Sequence, residues 1–146
     1  REQGEITMID FMASEEDIVR ILRDKYSSVI SDATYPTEGQ PHPRVYGTFV
    51  RLLEHFVTGT GALTAAQAVH KMTLSPAKAL RLKGKGVLTP GADADINVFA
   101  LKELHEAGTY TDPCREAEGM DTVIVGGGVA LEKGALTSGF GRVVRR

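Results

Sequence analysis

The apolar positions in the first part of the chain predict a strand, a helix and a second strand, in that order. Residues 5–11 are rich in β-branched and aromatic side chains, and apolar residues recur at helical spacing over 14–25, where Ser14 is a suitable N-cap. Residues 27–32 then form a short run with an apolar centre. A helix between two strands is the connection that a parallel sheet requires. The pattern therefore indicates one unit of an α/β sheet or barrel.

The middle of the chain is predicted to be helical. After a loop over 33–43 that is rich in Pro, Thr and Gly, helical spacing extends from Val45 to a stop near Gly59. A second helix is signalled by Thr64, which is followed three residues later by a glutamine, as in a capping box. A short third helix is predicted from Ser75, as a cap followed by proline, through Leu80.

The last part of the chain has the pattern of a small β structure. Residues 95–99 alternate as a strand, and 122–125 and 129–131 flank three glycines, which predicts a hairpin. Residues 101–107 are compatible with one or two helical turns. The predicted order is thus an α/β portion, a helical middle and a β-rich end.

Composition narrows the functional classes. The 146 residues are 42% hydrophobic and 25% charged, which is typical of a globular domain. A formal charge of −2 supplies no basic field, so we expect neither nucleic acid nor a membrane as partner. No apolar run has the roughly 20 residues of a spanning helix and residues 1–5 are too acidic for a signal peptide, so we expect a soluble, cytoplasmic protein. Because position 1 is Arg, we also expect the chain to be a piece of a longer protein.

The chemical motifs of common enzyme classes are missing from the sequence. The four histidines, His42, His55, His70 and His105, are far apart and lack the spacing of a zinc site. The chain also has no Gly-x-Ser-x-Gly motif and a single cysteine, Cys114, which excludes an internal disulfide. We therefore expect this chain alone to bind no catalytic metal.

Asp32 is the exception. It lies where a predicted parallel strand gives way to a long loop, which is where catalytic groups collect in α/β folds. The alternative is an aspartate that stabilises a turn. His42 and Arg44 follow in the same loop, between and after two prolines, and they favour the functional interpretation.

Four motifs, taken in order, resemble the C-terminal third of the N-acyl-D-amino-acid deacylases (D-aminoacylases) of the amidohydrolase superfamily, whose relatives include dihydroorotases and hydantoinases. They are Ser-Asp at 31–32, Pro-His-Pro-Arg-Val-Tyr-Gly-Thr-Phe at 41–49, Ala-Val-His-Lys-Met-Thr at 68–73, and the segment 86–99 with its Gly-Ala-Asp-Ala-Asp-Ile-Asn-Val-Phe ending. The last motif is shared across the superfamily, whereas the proline-bracketed His-Pro-Arg followed by Gly-Thr-Phe points to the deacylase branch.

The resemblance implies a fold and a set of roles. Residues 1–82 would be the last strands and helices of a TIM-type (β/α)8 barrel, with strands at 5–11 and 27–32, and residues 83–146 would be part of a small flanking β-sandwich. Asp32 would be the general base acting on a metal-bound water, and Arg44 would hold the α-carboxylate of the substrate. The remaining substrate-binding candidates are His42 and Met12.

The resemblance also implies partners and a cofactor. The full-length enzyme would use zinc, with ligands upstream of residue 1, and would cleave N-acyl-D-amino acids to a D-amino acid and a carboxylic acid. The partners would be this small-molecule substrate, the remainder of the barrel and, in one arrangement, a second copy of the chain. Two alternatives stay open: a noncatalytic β-rich module for oligomerisation or partner binding, and a cyclic amidase like dihydroorotase or hydantoinase.

Overall fold

The first helix is where the sequence places it. A computed structural model describes residues 8–34 and 39–144, and helix α1 spans Glu15–Arg23. The Ser14 hydroxyl accepts a hydrogen bond from the backbone N–H of Asp17, so Ser14 is the N-cap as predicted. The predicted strand at 5–11 lies partly outside the described residues, and residues 8–11 form no strand.

The prediction of a strand at 27–32 is wrong for the structure of this chain. These residues have no strand assignment, and the backbone N–H of Val29 donates to the carbonyl oxygen of Lys71, which lies in a helix. A strand exists only where a neighbouring strand supplies hydrogen-bond partners. Among the residues that the structure describes, none supplies a strand beside 27–32.

The helical middle follows the predicted pattern. Helix α2 spans Arg44–Arg51 and continues without a break into a π-helical segment, Leu52–Gly59. Helix α3 spans Ala65–Met72, and the Thr64 capping box is complete. A single hydrophobic cluster holds these elements together, with its buried members at Val50, Leu52, Leu53, Phe56, Leu63, Ala68 and Leu104.

Helix α4, Leu74–Ala79, begins earlier than predicted. Its N-cap is Thr73 rather than Ser75, because the backbone N–H of Ala77 already donates to the carbonyl oxygen of Thr73. Pro76 is therefore the third helical residue. Proline is tolerated there because the first turn of a helix leaves its N–H groups without helical partners.

The β-rich end forms one antiparallel sheet in the order β1-β2-β3-β4. The strands are Ile96–Phe99, Met120–Val125, Gly128–Glu132 and Ala135–Leu136. This confirms the predicted strands and hairpin. Gly126 and Gly127 form the hairpin turn with φ values of 57° and 86°, which glycine adopts without strain.

The connection from β1 to β2 is mostly irregular. One hydrogen-bonded turn follows β1, and His105 then forms an isolated antiparallel bridge with Glu118, in place of a second helical turn. Residues 104–110, which we call the crossing segment, leave the sheet and reach the helical part, where Leu104 is 4% exposed in the core. In the described part of the chain, no helix has the length and apolarity needed to cross a bilayer.

Candidate active site

Two of the residues singled out from the sequence form an ion pair. The Nη2 of Arg44 lies 3.1 Å from Oδ2 of Asp32, and the Asp32 side chain is 73% exposed. Asp32 has a φ of +46°, a left-handed conformation that aspartate adopts more readily than most residues. This conformation ends the segment 27–32 and starts the loop that leads to Arg44.

His42 supports the beginning of helix α2. Its Nδ1 accepts a hydrogen bond of 3.0 Å from the backbone N–H of Arg44, the first residue of that helix. The side chain thus satisfies one of the N–H groups that a helix leaves free at its start. In the neutral ring, the proton is then on Nε2.

The pKa of His42 is lowered from its ordinary value. The causes are burial of the ring and the nearby positive charge of Arg44, which the carboxylate of Glu106 opposes. Burial and the positive charge of Arg44 each disfavour the charged imidazolium form. The neutral imidazole is therefore the form that accepts the Arg44 N–H.

The Arg44 guanidinium has an unused donor. Its Nε is buried and has no hydrogen-bond partner among the described residues. Arg44 also lines a cavity of about 230 Å³ between α1 and α2, whose wall includes His42, Glu106 and Tyr110. A buried N–H without a partner is costly, and an acceptor on a ligand is one way to satisfy it.

The crossing segment brings two residues to this cavity that sequence reasoning missed, Glu106 and Tyr110. The Glu106 carboxylate is 9% exposed and pairs with Nη1 of Arg51 at 2.9 Å. A Cβ at Gly47 would lie 2.5 Å from Oε1 of Glu106, so the absence of a side chain there makes room for the carboxylate. Glycine inside a predicted helix is the one sequence signal of this close approach.

Met12 lies elsewhere. It is 83% exposed and is not among the residues that line the cavity. Its neighbour Phe11 contacts the ring of Tyr110, with centroids 4.9 Å apart. The structure therefore brings together Asp32, His42 and Arg44, and leaves Met12 apart from them.

The described residues contain no group of three or more His, Cys, Asp or Glu side chains that could hold a metal ion. Within 8–34 and 39–144, Asp32 is the carboxylate that pairs with Arg44, and no histidine joins this pair. This donor set does not fit a zinc site. The chemistry that the arrangement itself offers is an exposed carboxylate that can accept a proton, beside a guanidinium that can bind an anion.

Comparisons with known proteins agree with the resemblance seen in the motifs. The Amidohydrolase family matches residues 21–130. D-aminoacylase and N-acyl-D-glutamate deacylase from Alcaligenes xylosoxydans xylosoxydans are 36% and 33% identical to the chain, each over 94% of it, and the chain spans 28% of the length of each. The solved N-acyl-D-glutamate deacylase from Bordetella bronchiseptica, complexed with zinc and a phosphonate inhibitor, superposes with a TM-score of 0.76 at 34% identity. That superposition covers 80% of this chain and 24% of the solved one.

Proposed function

The chain belongs to the Amidohydrolase family, and we propose that it is the part of a zinc-dependent N-acyl-D-amino-acid deacylase that supplies the general base and the arginine for the substrate carboxylate. The observation that carries this proposal is the Asp32–Arg44 pair with the unpartnered Nε of Arg44. Its similarity to two deacylases over 94% of the chain supports the choice of reaction.

Asp32 is proposed to move one proton twice. Its carboxylate accepts a proton from the attacking water while the water oxygen bonds to the carbonyl carbon of the amide. The proton then passes to the amide nitrogen as the C–N bond breaks, which releases the amino acid as an amine and the acyl group as a carboxylic acid. The 73% exposure of the Asp32 side chain leaves space for water and substrate beside it.

Arg44 is proposed to hold the α-carboxylate of the substrate. A guanidinium donates two parallel N–H bonds to a carboxylate, and the pair Nε and Nη2 is one edge of that planar group. Nη2 contacts Asp32 in this structure, and the buried Nε has no hydrogen-bond partner in the part of the chain that the structure describes. A substrate carboxylate on this edge would satisfy Nε and lie beside the base.

Zinc enters the proposal through the relatives, since the Bordetella enzyme is complexed with zinc and the described residues of this chain do not form a metal site. The metal ligands are proposed to lie in the part of the deacylases' length that this chain does not span. His42 and Met12 remain proposals as substrate contacts. Of these two, His42 has the stronger support because it lines the cavity with Arg44.

The proposed architecture is that residues 1–82 complete a TIM-type barrel and residues 83–146 form part of a β-sandwich. Residues 27–32 would become a barrel strand once strands outside this chain pair with them. The apolar side chains of Ile30, 65% exposed, and Met8, 87% exposed, support the proposal, because a barrel interior would cover such groups. We also propose that the protein is cytoplasmic and forms a homo-oligomer.

The competing functions have less support. A noncatalytic module gives no reason for a buried arginine donor without a partner beside an exposed aspartate. A cyclic amidase is supported over a shorter stretch, since the dihydroorotase from Pelotomaculum thermopropionicum is 50% identical over 36% of this chain, whereas the two deacylases match 94% of it.

A chimera tests the proposal. Residues 1–146 would replace the aligned segment of the Alcaligenes D-aminoacylase, and hydrolysis of N-acetyl-D- and N-acetyl-L-amino acids would be measured together with zinc content. We expect zinc binding and hydrolysis of the D-enantiomers, and neither from the 146 residues alone. A folded, zinc-loaded chimera without deacylase activity would contradict the proposal.

A further inference from the structure

The ring of Tyr110 joins three separate segments of the chain beside the Arg44 cavity. Its centroid lies 5.3 Å from that of His42 with the rings at 87°, and 4.9 Å from that of Phe11 at 69°. Both are edge-to-face contacts, the favourable arrangement for aromatic pairs. We propose that Tyr110 is a positioning residue that orients the imidazole of His42 and, through it, the first turn of the helix that carries Arg44.

The crossing segment is fixed at several points before it reaches Tyr110. The backbone N–H of Glu106 donates to Oε2 of Glu54 at 2.8 Å, and His105 Nδ1 lies 2.9 Å from Oε1 of the same carboxylate. The Glu106 carboxylate pairs with Arg51. These contacts attach the crossing segment to α2 and to the π-helical segment. They therefore constrain the position of Tyr110.

The last step before Tyr110 is also constrained. A Cβ at Gly108 would lie 3.6 Å from Cβ of Pro43, the N-cap of α2. The segment therefore runs beside the helix from Glu54 to its first turn. Contacts that do not involve the Tyr110 side chain thus place Tyr110 beside the first turn of α2.

His42 needs such a neighbour because only one of its two ring orientations places Nδ1 at the Arg44 N–H. The second torsion of a histidine side chain is broad and roughly two-fold, so its backbone does not select the orientation. The observed Nδ1 contact of 3.0 Å requires one of the two. An aromatic ring at right angles to the imidazole restricts its rotation, and Tyr110 supplies that ring.

This inference rests on the proposed function for its catalytic consequence. If Arg44 holds the substrate carboxylate, loss of Tyr110 should loosen the helix start and weaken substrate binding. Asp32 has no contact with Tyr110 among the described interactions, so the proton transfer should change little. The expected signature is a raised KM with a nearly unchanged kcat.

The first arm of the test uses the 146-residue chain and does not depend on activity. Long-range ¹H–¹⁵N spectra at pH 8 would report the tautomer of His42 in the wild type, Tyr110→Phe, Tyr110→Ala and the control Tyr26→Ala. Tyr26 is 83% exposed and its ring contact is with Lys25, far from His42 in sequence. We expect the Nε2–H tautomer in all but Tyr110→Ala, which should show averaging of the two ring nitrogens. An unchanged His42 in Tyr110→Ala would overturn the proposal.

The second arm uses the chimera described above. We expect Tyr110→Ala to raise KM by about tenfold, as the loss of an aromatic pair of ordinary strength allows, with kcat within about twofold. Tyr110→Phe should retain the wild-type KM, since the ring contacts remain. If the chimera is active and its KM does not change in Tyr110→Ala, the inference is refuted. If the wild-type chimera is inactive while His42 gives the expected spectra, the proposed deacylase function is refuted instead.

Discussion

The Nζ of Lys71 donates a hydrogen bond of 2.8 Å to the hydroxyl of Ser27, although the two residues are 44 positions apart. The same ammonium donates to the backbone carbonyl oxygens of Asp24 and Ser27, just beyond the end of α1. Lys71 is 6% exposed. A buried cation is thus satisfied by carbonyl groups at the negative end of a helix, and it ties α3 to the segment that leads to Asp32.

Replacing Lys71 should destabilise the chain. Lys71→Met keeps the length of the side chain but leaves the carbonyls of Asp24 and Ser27 without their donor, which should cost about 1–3 kcal/mol. Urea unfolding followed by circular dichroism measures the change. Lys78→Met is the matched control, because Lys78 is exposed on α4. Equal midpoints for the two variants would show that the Lys71 contacts contribute nothing.

Asp32→Asn should abolish most turnover of the chimera without changing its zinc content. Asparagine also adopts the left-handed conformation seen at φ +46°, so the substitution removes the proton acceptor and keeps the turn. We expect kcat to fall by about 10²–10⁴-fold, the range for general acid–base catalysis. Near-normal turnover would identify Asp32 as a turn residue that pairs with Arg44.

Arg44 substitutions should reduce the preference for a free carboxylate. Arg44→Lys keeps the charge but loses the planar pair of donors, and Arg44→Ala loses both, so the defect in kcat/KM should grow in that order. Comparing substrates with a free and an amidated α-carboxylate, we expect Arg44→Ala to lose about 2–5 kcal/mol of discrimination. If the preference for the free acid survives in Arg44→Ala, another group binds the carboxylate.

His105 should make the stability of the chain depend on pH. The hydrogen bond to the Glu54 carboxylate raises the pKa of His105 above its ordinary value of 6.5. The folded state therefore binds a proton more tightly than the unfolded state, and the stabilisation is fully present below pH 6.5 and is lost as the pH rises through the raised pKa.

The measurement is the difference in unfolding free energy between wild type and His105→Gln from pH 5 to 9. This difference in unfolding free energy should become smaller towards high pH. His70→Gln is the control, because His70 is exposed and its ring pairs with no carboxylate among the residues that the structure describes. A difference that does not vary with pH would exclude the His105–Glu54 pair as a source of stability.

Gly119→Ala should be strongly destabilising. Gly119 has a φ of +90°, and a Cβ there would lie 2.1 Å from the carbonyl oxygen of Glu103. Gly134→Ala isolates the clash, because Gly134 has a φ of +79° but no atom within 4 Å of its Cβ position. Both variants should lose about 1–3 kcal/mol from backbone strain, and Gly119→Ala should lose more. Thermal unfolding of the two variants gives the comparison.

Local signals account for what the sequence predicted well. The N-cap at Ser14 and the capping box at Thr64 involve residues three apart, and the hairpin at Gly126 requires only its own glycines. The predicted start of α4 was wrong because Ser75 and the following proline have the pattern of a helix start. In the structure, Thr73 already accepts a helical hydrogen bond. Local sequence signals thus predict the type of a secondary-structure element more reliably than they predict its first residue.

Contacts between distant segments account for the rest. A strand at 27–32 would require neighbouring strands that the described residues do not supply, so the apolar pattern alone could not produce it. Asp32 and Arg44 were predicted as site residues because they lie at a predicted strand end and in the loop that follows it, and the structure pairs their side chains. Tyr110 and Glu106 come from a connection more than 60 residues later, and no periodicity in that connection indicates that it reaches α2.

The course of the crossing segment also sets an order of events during synthesis. A ribosome releases Asp32 and Arg44 well before the residues that complete their surroundings, since Tyr110 follows Arg44 by more than 60 residues. Until then, the imidazole of His42 lacks its aromatic neighbour, and the first turn of α2 lacks Glu106. A nascent chain stopped before the crossing segment would therefore carry Asp32 and Arg44 while the wall of the Arg44 cavity still lacks Glu106 and Tyr110.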